Sequence, residues 1–370
     1  MTAVLYLAYP NLLAPVNGGA LKRAVIATGL AQAADLALAL IGTEPGAAPI
    51  GTGVVELPLG GTATVYDGPS AVSEALATAR PDVVIVDHVS YVSALGPARR
   101  DVALIVNTQN VESSLAWEER RIGGLRSRVN AARSTTRLWR QERVAFGHAD
   151  QLWFVSDEDE RLFRRLHRIR SPTAIVPNVV ADWAIADDVV PGRPRTAVFL
   201  GSLNYWANRL AIVSLGELSV ELTRRGEAHA FDVIGSGSPS PPITGLPPEV
   251  HLRGFVDHLL PALESYGACI APITAGGGTK TKLLEAMAAG RAVLTTPKGV
   301  QGIPEARDGH NIMVRELGPA FVEAAATLLG DPTLALRLGR EGLATVRRRY
   351  TLKASGAAVS QALSELLAAR

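Results

Sequence analysis

One cysteine, Cys269, is all that the 370 residues contain, so no internal disulfide is available and a reducing cytoplasm is the expected setting. Its neighbours, Ala268 to Ile273, are apolar, which reads as a buried small hydrophobe and not as a redox group. Aromatic residues make up 5% of the chain, too few to build a row of base-stacking platforms, and the net charge is only +2. Nucleic acid is therefore excluded as a partner. No apolar run approaches the about 18 to 20 residues of a membrane span. The opening MTAVLYLAYP has no basic residue before its apolar run, so it reads as a first strand and not as a signal peptide. Histidine and cysteine clusters at metal-ligand spacing are also missing. The one Asp-x-Asp, Asp157 to Asp159, falls in the acidic first turn of a predicted helix, where the helix dipole favours it. No metal and no bound organic cofactor are expected.

What is present is a well-cored chain, 47% hydrophobic and 19% charged, and long enough for two domains. Short apolar strands alternate with helical stretches: strand Val4 to Tyr9, helix Ala20 to Ala34, strand Leu36 to Ile41, strand Val54 to Leu57, helix Ser70 to Ala79, strand Val83 to Asp87, strand Ala103 to Asn107. One long helical region spans Ser113 to His148. After PGRP at Pro191 to Pro194, a linker signal, the alternation restarts with strand Ala197 to Leu200. The pattern predicts an α/β chain of two Rossmann-like, doubly wound parallel-sheet domains, residues 1–190 and 191–350, facing across a cleft. The last helix, in 351–370, is expected on either domain.

The segment Gly276 to Ile303, GGGTKTKLLEAMAAGRAVLTTPKGVQGI, combines what a sugar diphosphate needs. Glycines let backbone amides approach a ligand, and the following helix aims its positive N-terminal end at the same place. Thr279, Lys280 and Lys282 add donors and charge. Glu285, four residues after Thr281 on one helix face, suits ribose hydroxyls or a surface pair with Lys282. This run, with its closing turn Gly299 to Gly302, resembles the nucleotide-sugar half of retaining glycosyltransferases of the GT-B fold.

The resemblance implies a nucleoside diphosphate sugar as co-substrate, held by the second domain, with the acceptor on the first. Donor diphosphate contacts would fall to Gly18, Gly19, Gly201, Arg209, Gly277, Gly278, Thr279, Lys280 and Lys282. Nucleoside contacts would fall to Gly235, Phe255, Val256 and Glu285. Simple turns or helix-surface roles remain open for Gly18, Gly19, Arg209 and Gly235. Two departures stand out. Relatives commonly have a carboxylate where this chain has Gly277, and a histidine where it has Gln109. Either the protein supplies no base, the departing phosphate taking the acceptor proton, or His88 serves from a neighbouring loop; a structural role for His88 stays open.

Eight arginines lie between Arg120 and Arg143, with Glu142 the only acid in that range. They fit a solvated helix face, or a peripheral contact with anionic lipid at the inner face of a membrane, or an acidic acceptor. The expectation is a metal-independent retaining glycosyltransferase acting on a small-molecule, glycan or lipid-linked acceptor. A nucleotide-binding protein of this fold that does not transfer, and a nucleotide-sugar 2-epimerase, are the rival readings.

Overall fold

A computed structural model of the chain describes residues 2–13, 18–40, 53–67, 70–100, 102–120, 125–238 and 242–369. Two compact units share it: residues 1–179 with 352–370, and residues 180–351.

The first unit is built on an eight-stranded sheet in the order β3-β4-β2-β1-β5-β6-β7-β8. Its strands are β1 (Ala3–Ala8), β2 (Asp35–Leu40), β3 (Gly53–Glu56), β4 (Thr62–Tyr66), β5 (Val83–Val86), β6 (Ala103–Asn107), β7 (Gln151–Phe154) and β8 (Thr173–Ile175). All neighbours run parallel except the edge hairpin β3 with β4. Helices α1 (Gly18–Ala33), α2 (Ala71–Ala79), α3 (Glu112–Glu119), α4 (Leu125–His148) and α5 (Asp157–His167) complete the unit, with the C-terminal helix Leu352–Ala368. The apolar strands are buried on both faces, so successive residues of β1 serve two cores. Val4, Tyr6 and Ala8 face Ile26 and Leu30 of α1, together with Val359 and Leu363 of the C-terminal helix. Leu5 and Leu7 face Ala75 of α2, Phe146 of α4 and Phe163 of α5. Such two-sided burial is what a helix-covered parallel sheet requires.

The expected helical region from Ser113 to His148 holds two helices, α3 and α4, with residues 121–124 outside the described set. The sequence carries Gly123 and Gly124 there, poor helix formers. Glu142 of α4 joins the pieces. It is fully buried, accepts from the Ser113 amide of α3 at 3.0 Å, and lies 2.9 Å from Nε2 of His167, the last residue of α5.

The second unit has a six-stranded sheet, all parallel, in the order β11-β10-β9-β12-β13-β14. Its strands are β9 (Arg193–Leu200), β10 (Ala230–Ile234), β11 (Val250–Gly254), β12 (Tyr266–Ala271), β13 (Ala292–Thr295) and β14 (Met313–Val314). Around it lie α6 (Trp206–Arg224), α7 (Leu259–Glu264), α8 (Thr281–Ala288), α9 (Pro319–Gly330) and α10 (Pro332–Arg349). One core joins Phe199, Cys269 and Leu294 of the strands to Leu215 of α6, Met287 of α8 and Phe321 of α9. Burial drives the Cys269 thiol up to about 12, which keeps it an inert thiol.

The units divide ahead of Pro191 to Pro194 because residues 180–190 are tied to the second one. The Ala186 amide donates to Ala288 O at 2.9 Å, and Arg291 and Arg347 donate to Val190 O and Ala186 O at 2.7 and 2.6 Å.

Candidate functional site

In each sheet the strand order reverses once, between β1 and β5 in the first unit and between β9 and β12 in the second. Open α/β sheets hold ligands at the carboxyl ends of the strands beside such a reversal.

In the second unit that place is formed by Gly201 to Tyr205 after β9 and by Ile273 to Thr279 after β12. Gly235, at the end of β10, lies against the first of these turns: a Cβ there would stand 2.0 Å from Gly201 O. Only glycine allows that approach. The Gly201 and Leu203 amides then donate to Ile234 O and Ser236 O at 2.9 and 2.8 Å. Asn208, in the first turn of α6, donates its side-chain nitrogen to Ser202 O at 2.8 Å.

The glycine loop is fixed from the opposite side. Thr279, almost fully buried, donates its hydroxyl to Gly302 O at 2.9 Å, and the Lys280 ammonium donates to Gly278 O at 2.7 Å. Gly302 adopts φ +82°, where a Cβ would meet the Thr279 Cα at 2.9 Å. The turn from Thr296 to Gly302 thereby sits directly on the start of α8. Lys282 is directed into the unit: its ammonium donates to the Asn208 side-chain oxygen and lies 4.8 Å from the centre of the Phe199 ring. Burial lowers its pKa to about 8, against the pull of Glu285. Glu285 is half-buried, and burial raises its carboxyl pKa while Lys282 pulls it back down. What results is a stiff loop at a helix N-terminus, a geometry for cradling anionic oxygens with backbone amides.

Residues 194–331 match the family model of glycosyl transferases group 1. The match lies within the second unit. Among solved structures, the chain is similar to sucrose-phosphate synthase from Thermosynechococcus elongatus, with a TM-score of 0.78 at 15% identity over 99% of this chain and 100% of that one. It is also similar to Anabaena HepE in complex with UDP-glucose, with a TM-score of 0.68 at 13% identity over 98% and 99% of the two chains. A glycosyltransferase from Rickettsia africae aligns with a TM-score of 0.66 at 11% identity, over 99% of each chain. No curated protein matches the sequence. Together with the two parallel-sheet units, these likenesses show the GT-B fold.

Within the second unit, Gly201, Gly277, Gly278, Thr279 and Lys280 gather at the strand reversal, and Arg209 lies in the first turn of α6 beside it. Glu285 stands one turn further along α8. Phe255 and Val256 follow β11, two strands away from β9; Phe255 is 64% exposed, whereas Val256 packs on the core. Lys282 and Gly235 are bound up in holding the turns together. Their structural roles were not visible in the sequence, since they depend on Asn208 and Gly201 arriving from distant segments.

In the first unit, Gly18 and Gly19 open α1. The residue that organises the strand reversal is Asp87, directly after β5. Its carboxylate is fully buried and accepts from Tyr6 Oη at 2.9 Å, Asn107 Nδ2 at 2.7 Å and Gln109 Nε2 at 3.1 Å. Tyr6 and Asn107 reach Oδ1, whereas Arg23 of α1 pairs with Oδ2, the oxygen that Gln109 also approaches at 3.1 Å. An ionised carboxylate only accepts, so Gln109 must present its NH2 to Asp87, which fixes its amide oxygen as an acceptor for other groups. Beside Asp87, His88 Nδ1 receives the Ser90 amide at 3.2 Å and lies 2.7 Å from Ser90 Oγ. Burial lowers the His88 pKa, which favours the neutral ring, and a neutral ring whose Nδ1 accepts from the Ser90 amide has its proton on Nε2, where it can donate. Asp87 and Arg23 belong to no motif that sequence reasoning could single out; an aspartate ending an otherwise apolar strand was the available signal.

On α4, Arg128, Arg133, Arg137, Arg140 and Arg143 are exposed, and Glu142, the one acid of this helix, faces inward. No described helix is long and apolar enough to cross a membrane, and no described group of three or more His, Cys, Asp or Glu is placed to hold a metal ion.

Proposed function

We propose that the protein is a retaining glycosyltransferase that moves a sugar from a nucleoside diphosphate to a small-molecule, glycan or lipid-linked acceptor. The observation that carries the reading is the stiff glycine loop at the N-terminus of α8, inside the segment that matches the group 1 family. Its amides, with Thr279, Lys280 and Arg209 nearby, suit the charge that grows on a departing diphosphate, without help from a metal ion. In this reading the bond from the anomeric carbon to the phosphate oxygen breaks, the acceptor oxygen bonds to the same carbon from the same face, and the acceptor's proton passes to the phosphate. No basic side chain is then needed, which agrees with His88 standing as a donor and Gln109 as a neutral amide. The first unit receives the acceptor, with Gln109 and His88 offering the hydrogen bonds.

Anabaena HepE is seen with UDP-glucose, which makes a uridine diphosphate sugar the first donor to test. The lone buried Cys269 suits a reducing cytoplasm, and the exposed arginines of α4 suit the inner face of an anionic membrane, where a lipid-linked acceptor would be found. The test is proton NMR of reactions with UDP-, GDP-, ADP-, CDP- and dTDP-sugars, with and without EDTA. Release of nucleoside diphosphate with the first-formed sugar in the donor's anomeric configuration supports the reading. Inversion, or conversion of the donor sugar to its 2-epimer, would replace it.

A further inference from the structure

The turn after β9 and the glycine loop after β12 flank the reversal of the second sheet, and one side chain spans the distance between them. Tyr205, the residue before α6, has its hydroxyl 3.4 Å and its Cε1 3.9 Å from the position that a Cβ on Gly276 would take. The ring is nevertheless 37% exposed, and Trp206 stands beside it at a centroid distance of 5.8 Å. In a chain with 5% aromatic residues, two adjacent ones stand at the start of α6, beside the strand reversal. The turn that bears them is held by the Gly201 and Leu203 amides and by Asn208, so the phenol is presented from a fixed backbone. Gly276 itself has φ +108°, which keeps a side chain away from the side where the hydroxyl lies.

We propose that Tyr205 is a positioning residue of the donor site, its ring standing beside the glycine loop and its hydroxyl donating to a nonbridging β-phosphate oxygen of a nucleoside diphosphate lodged on that loop. The chemistry fits the place. The stretch NYWANR between β9 and the body of α6 contains a single cation, Arg209, so a neutral donor here adds to the loop amides without another buried charge. The inference rests on the donor reading given above and names a group which that reading did not include.

The experiment is calorimetric titration of the full chain with UDP, GDP, ADP, CDP and dTDP, followed by the matching monophosphate of whichever binds, for wild type, Tyr205→Phe and Tyr205→Ala. Tyr205→Phe retains the ring and serves as the variant that folds if Tyr205→Ala does not. The expected result is about a tenfold loss of diphosphate affinity in Tyr205→Phe, the scale of one hydrogen bond to a charged group, with monophosphate affinity changed less than about twofold. Wild type and Tyr205→Phe binding the diphosphate equally would overturn the role of Tyr205 while leaving the donor site standing. An equal loss for diphosphate and monophosphate would do the same, because it would place the effect away from the β-phosphate. Failure of wild type to bind any of the five would overturn the donor site itself.

Discussion

Lys282 of α8 donates its ammonium to the side-chain oxygen of Asn208 of α6, and the Asn208 nitrogen donates onward to Ser202 O at 2.8 Å. One asparagine thus connects the helix of the glycine loop to the turn after β9. Lys282 thereby supports the site by fixing these two turns. Asn208→Ala should leave a largely buried ammonium without this partner and cost about 1.5 to 3 kcal/mol, the scale of a hydrogen bond to a charged group. Urea denaturation reads it directly, and an unchanged midpoint would mean that water replaces the asparagine.

In the first unit, Asp87 answers Arg23 where both are screened from solvent. Removing only the carboxylate takes the ion-pair partner from a largely buried guanidinium and breaks the bonds of Tyr6, Asn107 and Gln109, so Asp87→Ala should destabilise by about 3 to 5 kcal/mol. Arg23→Met with Asp87→Leu should recover part of that loss. A double variant as unstable as the single one would shift the explanation from charge to the lost bonds of Tyr6, Asn107 and Gln109.

Lys22, one residue before Arg23, is fully buried, and no partner is seen for its ammonium. Burial holds its pKa down to about 7, with Asp87 pulling the other way. An unfolded lysine titrates near 10.4, so between about pH 7 and 10.4 the unfolded chain binds more protons and stability rises with pH. For a single proton the rise is at most about 1.4 kcal/mol per pH unit. Below that window the cost of the buried charge is fully present. Lys22→Met should flatten the rise between pH 7 and 9 relative to wild type, leaving the smaller slope due to Lys282. Parallel slopes in chemical denaturation would show that Lys22 reaches solvent.

Glu285 stands one helical turn from the glycine loop, with a pKa raised by burial. If it receives ribose hydroxyls, Glu285→Ala should weaken nucleotide binding by about 1.5 to 3 kcal/mol. Titration of the variant with the nucleotide that wild type prefers decides it. Unchanged affinity removes Glu285 from the donor site.

The legible parts of this molecule were those that local pattern dictates. Apolar runs such as Val83–Val86 and Ala268 to Ile273 marked strands of parallel sheets, and GGGTKTKLLEAMAAG marked a loop followed by a helix. Strand Thr62–Tyr66, TATVY, gave no comparable signal because its threonines interrupt the apolar run. The tie of residues 180–190 to the second unit depends on Arg291 and Arg347, which are far away in sequence. In the site, glycines and hydroxyls were readable as residue types, but their duties were not. Gly235 is glycine because Gly201 O lies against it, and Lys282 turns inward because Asn208 is there to receive it. Such roles exist only once distant segments meet.

The central claim is a nucleoside diphosphate site on the second unit. Its most direct test is thermal stability of the full chain against UDP, GDP, ADP, CDP and dTDP, with magnesium and with EDTA. A nucleotide at about a hundred times its dissociation constant should add about 2.7 kcal/mol to the folded state. The account predicts a raised melting temperature for at least one nucleotide whether or not the chelator is present. A flat response to all five would contradict it, and a response that vanishes in EDTA would contradict its metal-independent form.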